Sequence, residues 1–186
     1  SVAAILLAMV VCTILGVVIE RLAYKPLRDA PSLAVLITAI GVSYFLQNAA
    51  LQVWGANPRM YASVASGTLK LFDGQLTIPY VSLLTVAACI VIMVGLTLFT
   101  SRTKMGKAMR ACSEDKGAAQ LMGIDVNRTI SMTFAIGSAL AAIAGVLLCS
   151  YTTSLSPTTG SMPGIKAFTA AVFGGIGSIP GAFLGG

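Results

Sequence analysis

The polarity of this chain changes in long blocks, not residue by residue. Apolar stretches at about Val2 to Ile19, Leu33 to Val53, Pro79 to Phe99, Ile130 to Ser150 and Ile165 to Gly185 alternate with polar connections. A helix needs about 20 apolar residues to cross roughly 30 Å of hydrocarbon. Transmembrane strands would instead show short segments of alternating polarity. The pattern therefore predicts an all-α, polytopic transmembrane bundle, read as one membrane domain over residues 1–186.

The connections differ in kind. After the first block come Glu20, Arg21, Lys25, Arg28 and Asp29, with Pro26 and Pro31 stopping helical continuation. The second block ends near Trp54, a residue favoured at the membrane interface. Residues 55–78 carry only Arg59, Lys70 and Asp73 as charges, and their Gly, Thr, Ser and Pro content predicts turns or short strands. Pro79 opens the third block at a tolerated first-turn position. The stretch SYTTSLSPTTGSMPG after the fourth block has no charge and is rich in turn residues. Basic residues number three in the first connection, two in the second and six in the third. Because Lys and Arg accumulate in loops that stay inside, this predicts an outside start with the first and third connections cytoplasmic.

The last block, GIKAFTAAVFGGIGSIPGAFLGG, is not an ordinary span. Gly174, Gly175, Gly177, Pro180 and Gly181 crowd its middle. Broken backbone at membrane depth is tolerated only where protein or a water-filled cavity satisfies its polar groups, so two half-helices or a re-entrant turn are expected. The chain opens at Ser1 directly before one apolar run and stops inside another, the pattern expected of a fragment.

Composition sharpens the class. Hydrophobic residues make up 56%, charged residues 10%, and the mean hydropathy is +0.90. Basic residues outnumber acidic ones by 12 to 6, but they flank the membrane without aromatic interleaving, so no nucleic acid partner is expected. Cys12, Cys89, Cys112 and Cys149 share no CxxC spacing and read as packing residues. With no histidine, and with carboxylates confined to loops or their edges, neither a metal site nor any cofactor is expected.

The densest chemistry lies in SRTKMGKAMRACSEDKGAAQLMGIDVNR, between Thr100 and Thr129. Ser113 is placed to cap a short helix, Glu114 and Asp115 to fall in its first turn, and Gly123 to end it in a left-handed conformation. Asp125 would cap the next helix, so the short element is held between two membrane helices. A bare electrostatic connector that only sets topology needs no such order. No ATP site is expected here. A phosphate-binding loop requires glycine, four residues, then Gly-Lys-Ser/Thr, whereas Gly106 and Lys107 have Ser101 and Ala108 at the outer positions.

KMGKAMRACSEDKGAAQLMGI, the glycine-rich last block and ERLAYKPLRDAPSLAVLITAIGVSYFLQN together resemble the permease subunits of bacterial branched-chain amino acid ABC importers, over essentially the whole chain. The resemblance implies a multi-pass permease of the bacterial inner membrane that is not itself an enzyme and has no catalytic residues. It implies two cytoplasmic ABC ATPase subunits, a second homologous permease and a periplasmic amino-acid-binding protein as partners, within the lipid bilayer. It further implies that Ser113 to Gly123 forms the coupling helix, with Ser113, Glu114, Asp115, Lys116, Gly117, Ala118, Ala119 and Gly123 facing the ATPase. The wider importer signature has Glu-Ala-Ala, three residues, then Gly. Ala118, Ala119 and Gly123 fit it, Gly117 replaces the Glu, and the later Ile-x-Leu-Pro is missing.

For the substrate pathway the candidates are Thr38, Ser43, Gln47 and Asn48 in the second block, whose alternative role is interhelical hydrogen bonding. Gly174, Gly175, Gly177 and Gly181 are the others, as half-helix termini attracting a carboxylate or as close-packing glycines. Lys166 is either a gate or an interfacial snorkelling base, the second being favoured. Competing functions are a related permease for urea, short amides or other amino acids, a gradient-driven transporter or channel, and a scaffold. The gradient-driven class predicts an intramembrane carboxylate, and no apolar run holds one in its interior.

Overall fold

A computed structural model describes residues 2–27, 31–60, 68–71, 74, 76–152 and 154–186. Arg28, Asp29 and Asp73, and residues 61–67 of the second connection, lie outside the described residues. The helices are α1 (Val2–Ile19), α2 (Ser32–Trp54), α3 (Tyr80–Arg102), α4 (Lys104–Glu114), α5 (Lys116–Leu121), α6 (Val126–Thr152), α7 (Ser161–Phe173) and α8 (Ile179–Gly185). Among the described residues, four helical stretches, Val2–Tyr24, Leu33–Trp54, Tyr80–Arg102 and Val126–Thr152, are long and apolar enough to cross a membrane.

These helices are apolar on all sides, which is the signature of a helix surrounded by lipid or protein. Phe45, Val91 and Leu22 are each at least 70% exposed within the chain, a surface that water would not tolerate. Several threonine hydroxyls inside the spans are satisfied by their own helix. Thr13 donates to the Met9 carbonyl, Thr85 to Val81 and Thr97 to Met93, at 2.7 to 2.8 Å.

The first helix runs further than its charges suggest. It passes from α1 into a π turn, Glu20–Tyr24, and then a 3-10 turn, Lys25–Leu27, that contains Pro26. Glu20, expected at the edge of a polar loop, is instead completely buried. The most extensive helix pairing is α1 against α6. Gly16 makes this possible, because a Cβ there would collide with the Ser138 side chain. Tyr24 and Phe134 continue the seam with ring centroids 5.0 Å apart.

Short strands join the connections at the opposite end from the basic segment. β2 (Thr68–Leu71) and β3 (Leu76–Pro79) form an antiparallel hairpin in the register Thr68–Pro79 to Leu71–Leu76. Pro79 thus closes a strand and precedes α3, where a first helical turn was expected. β1 (Arg59–Met60) pairs antiparallel with β4 (Ser154–Leu155), so the connection after α2 is tied to the connection after α6. The last apolar block does break in two: α7 stops at Phe173 and α8 begins at Ile179.

Candidate functional site

The basic segment folds into a compact elbow. Thr103 leaves α3 in an extended conformation, and its Oγ1 accepts a hydrogen bond from the Gly106 amide at 3.0 Å, capping α4. Gly106 is required, since a Cβ there would run into the backbone of Phe99 and Thr100. α4 then continues to Glu114, so Ser113 and Glu114 close one helix and do not open the next. Ser113 Oγ donates to the Arg110 carbonyl at 2.7 Å. The expected cap is therefore corrected to Asp115. Its backbone is extended at φ −151° and ψ 112°, and its Oδ1 accepts from the Gly117 and Ala118 amides at 2.8 and 3.2 Å. Ser and Asp are about equally good caps, so the choice falls to whichever residue leaves helical geometry.

The far end of α5 is a complete glycine stop. The Ile124 amide bonds to the Ala119 carbonyl and the Gly123 amide to Gln120, both at 3.1 Å, with Gly123 at φ +82°. Two residues on, Asp125 Oδ1 accepts from the Arg128 amide at 3.3 Å, and the Thr129 hydroxyl donates to the Asp125 carbonyl at 2.9 Å.

A small apolar core clamps this elbow to α6. Cys112 from α4, Ala119 from α5 and Val126 from α6 are all buried, with Ala111, Ile124 and Ile130 packed around them. Ala119 faces inward, whereas Ser113, Glu114, Asp115, Lys116, Gly117, Ala118 and Gly123 are exposed. Leu121 and Met122 are 91% and 82% exposed at the tip. Between α4 and α5 lies an open groove of about 510 Å³, with Lys104 and Lys107 on one wall, Glu114 and Asp115 at the bend, and Met122 and Ile124 among its apolar lining.

The second-block polar residues are spread out. Thr38 donates to its own Ala34 carbonyl at 2.8 Å and Asn48 to Tyr44 at 2.8 Å. Ser43 is an exposed neighbour of Gln47 at 3.4 Å. Gln47 also donates to Ser161 Oγ of α7 at 2.9 Å, the interhelical role. The glycines of the last block are accounted for by packing and turning. A Cβ on Gly174 would collide with the Gly181 carbonyl, and one on Gly181 with that of Gly174, so the half-helices touch backbone to backbone. Gly175 and Gly177 make the reversal at φ +87° and +102°, and Ser178 Oγ accepts the Gly181 amide at 3.1 Å.

The model of the family described as "Branched-chain amino acid transport system / permease component" matches residues 1–186. The chain belongs to this family. Among curated relatives, it is 44% identical over 187 residues to the high-affinity branched-chain amino acid permease protein BraD of Pseudomonas aeruginosa, covering 99% of this chain and 61% of BraD. It is 44% identical over 194 residues to LivH of Escherichia coli K12, covering 96% of this chain and 59% of LivH. The xylose transport permease XylH of the same bacterium is 35% identical over 100 residues, covering 50% of this chain and 25% of XylH. The chain thus spans about three fifths of the length of BraD and LivH. No solved structure matches it.

Family membership and the four apolar helices make this a multi-pass membrane protein of a permease family. Four features escaped the sequence reading: the Asp115 cap, the Thr103 cap, the exposed Leu121–Met122 tip and the buried Glu20. The tip carried a signal, since Leu121 and Met122 are apolar residues just before a glycine stop on a helix too short to bury both faces. Glu20 carried none, because its burial comes from α6 arriving from a distant part of the chain.

Proposed function

We propose that this chain is a permease subunit of an ABC importer in a bacterial inner membrane and carries branched-chain amino acids. The relatives matched over nearly all of it are named for that cargo, whereas the sugar permease matches half. The partners are two cytoplasmic ATPase subunits, a second homologous permease and a periplasmic amino-acid-binding protein. Hydrolysis is supplied by the ATPases, and this subunit contributes conformational change.

The observation that carries this reading is the elbow itself. α5 presents two nearly fully exposed apolar side chains beside charged ones, yet its base is locked to α6 by Cys112, Ala119 and Val126. A rigid element with an apolar tip is suited to seat in a cleft of another protein and to pass displacement into a span. In this reading, closure of the ATPases around nucleotide draws α5 with it, and α6 follows because only Ile124 separates the glycine stop from the Asp125 cap and the two helices share the Cys112, Ala119 and Val126 core.

The test is leucine uptake by the full-length protein, assembled with its partners in proteoliposomes. Uptake should require ATP and the binding protein. It should be lost in Gly123→Pro, which cannot adopt φ +82° or supply the amide that bonds to Gln120. ATP-independent uptake would overturn the proposal, as would full activity of an inserted Gly123→Pro variant.

A further inference from the structure

Glu20 is the one carboxylate among the described residues that is completely buried, and it lies within a stretch, Val2–Tyr24, apolar enough to span the membrane. Its Oε2 accepts a hydrogen bond from Ser131 Oγ at 2.9 Å, across 111 positions of chain. Burying a carboxylate in this way is a poor route to stability, since well-packed apolar residues of similar size do as well or better. An ionisable group buried between two apolar helices therefore points to function, and Ser131 is one of its partners.

Its location says which function. Ser131 sits on α6 immediately after Ile130, which packs against the buried core of the elbow, and two residues after Thr129, itself buried and bonded to the Asp125 cap. Gly16, Glu20 and Tyr24 are spaced four apart and share one face of the first helix. They meet Ser138, Ser131 and Phe134 on one face of α6. Glu20 lies in a π turn, a local widening that recurs at functional sites in helices. The backbone at Gly16 and the rings at Tyr24 supply shape, while Glu20 supplies a directional bond that fixes the register between the helices.

We propose that Glu20 is a positioning residue for transport: its bond to Ser131 makes the first helix and α6 move as one body, so that displacement entering through α5 reaches two spans. This rests on α5 being the element that receives the ATPase movement. A buried hydrogen bond whose loss would leave a polar group unsatisfied is costly to break, which favours keeping this register through a conformational cycle.

The experiment uses the full-length transporter with its partners in proteoliposomes. It reads leucine transported per ATP hydrolysed, together with the electron-spin distance between labels at the exposed positions Leu22 and Asn127. In the wild type that distance should be the same with and without ATP. Glu20→Ala and Ser131→Ala should each assemble and hydrolyse ATP, let the distance change on ATP binding, and lower the transport ratio about tenfold. Glu20→Gln, whose amide oxygen still accepts a hydrogen bond, should restore most of both. Should Glu20→Ala fail to assemble, Ser131→Ala, which removes a single hydroxyl, decides the matter. A wild-type ratio and fixed distance in Ser131→Ala would overturn the proposal. So would abolished uptake in Glu20→Gln beside normal Ser131→Ala, which would mark a proton relay. If wild-type uptake proves independent of ATP, the coupling reading fails and the transmission role falls with it, while the distances still report whether the two helices are clasped.

Discussion

Gln47 Nε2 and Ser161 Oγ meet at 2.9 Å, joining the middle of the chain's second helix to the first residue of α7 across 114 positions. Inside lipid such a bond replaces contacts that the separated helices would satisfy in other ways, so its net value is about 0.6 kcal/mol. A double-mutant cycle of Gln47→Ala and Ser161→Ala, followed by thermal unfolding of the full-length protein, should return a coupling energy of that size. An additive pair would show that the bond contributes nothing.

Asp115→Ala should destabilise the start of α5 by about 1 kcal/mol, because two amides lose their acceptor. Ser113→Ala should change stability by no more than about 0.5 kcal/mol. Hydrogen exchange at Gly117 and Ala118 separates the two outcomes, since only the Asp115 variant should speed it.

The Gly16–Ser138 contact predicts a rescue. Gly16→Ala should cost about 1–3 kcal/mol through overpacking. The colliding atoms are the Ser138 Oγ and Cβ, so Ser138→Gly in the same protein should recover much of the loss. Thermal stability of the two variants, measured in detergent on the full-length protein, checks this.

In the glycine reversal, Gly175→Ala is penalised by its positive φ alone, by roughly 1–2 kcal/mol. Gly174→Ala should be worse, because the obstruction is the main chain at Gly181 and no rotamer change relieves it. The order of the two melting temperatures is the test.

Leu121→Asp and Met122→Asp should leave folding within about 0.5 kcal/mol of wild type, since both positions are already exposed. Each should weaken association with the partner ATPase more than tenfold, as expected of a central apolar anchor worth about 2 kcal/mol or more. Titration of the purified ATPase into reconstituted permease measures it.

The membrane-scale features were legible because they depend on the polarity of long segments. Gly123 was legible for a related reason: a glycine after a short polar helix has one common use, and the backbone adopts it. The start of that helix was misplaced by two residues because Ser113 and Asp115 are chemically equivalent candidates, and the decision rests on how far α4 extends. Glu20 looked like the first residue of a polar loop. The arrival of Ser131 and α6 from a distant part of the chain makes it an interior group. The glycines of the last block announced a broken helix, but their mutual contact across α7 and α8 belongs to tertiary structure.

The strand pair between Arg59–Met60 and Ser154–Leu155 is held by main-chain atoms while Arg59, Met60 and Leu155 stay exposed. A tether of this kind makes almost no demand on side-chain identity. Substitutions there can therefore change the chemistry of that face without loosening the frame on which it is displayed.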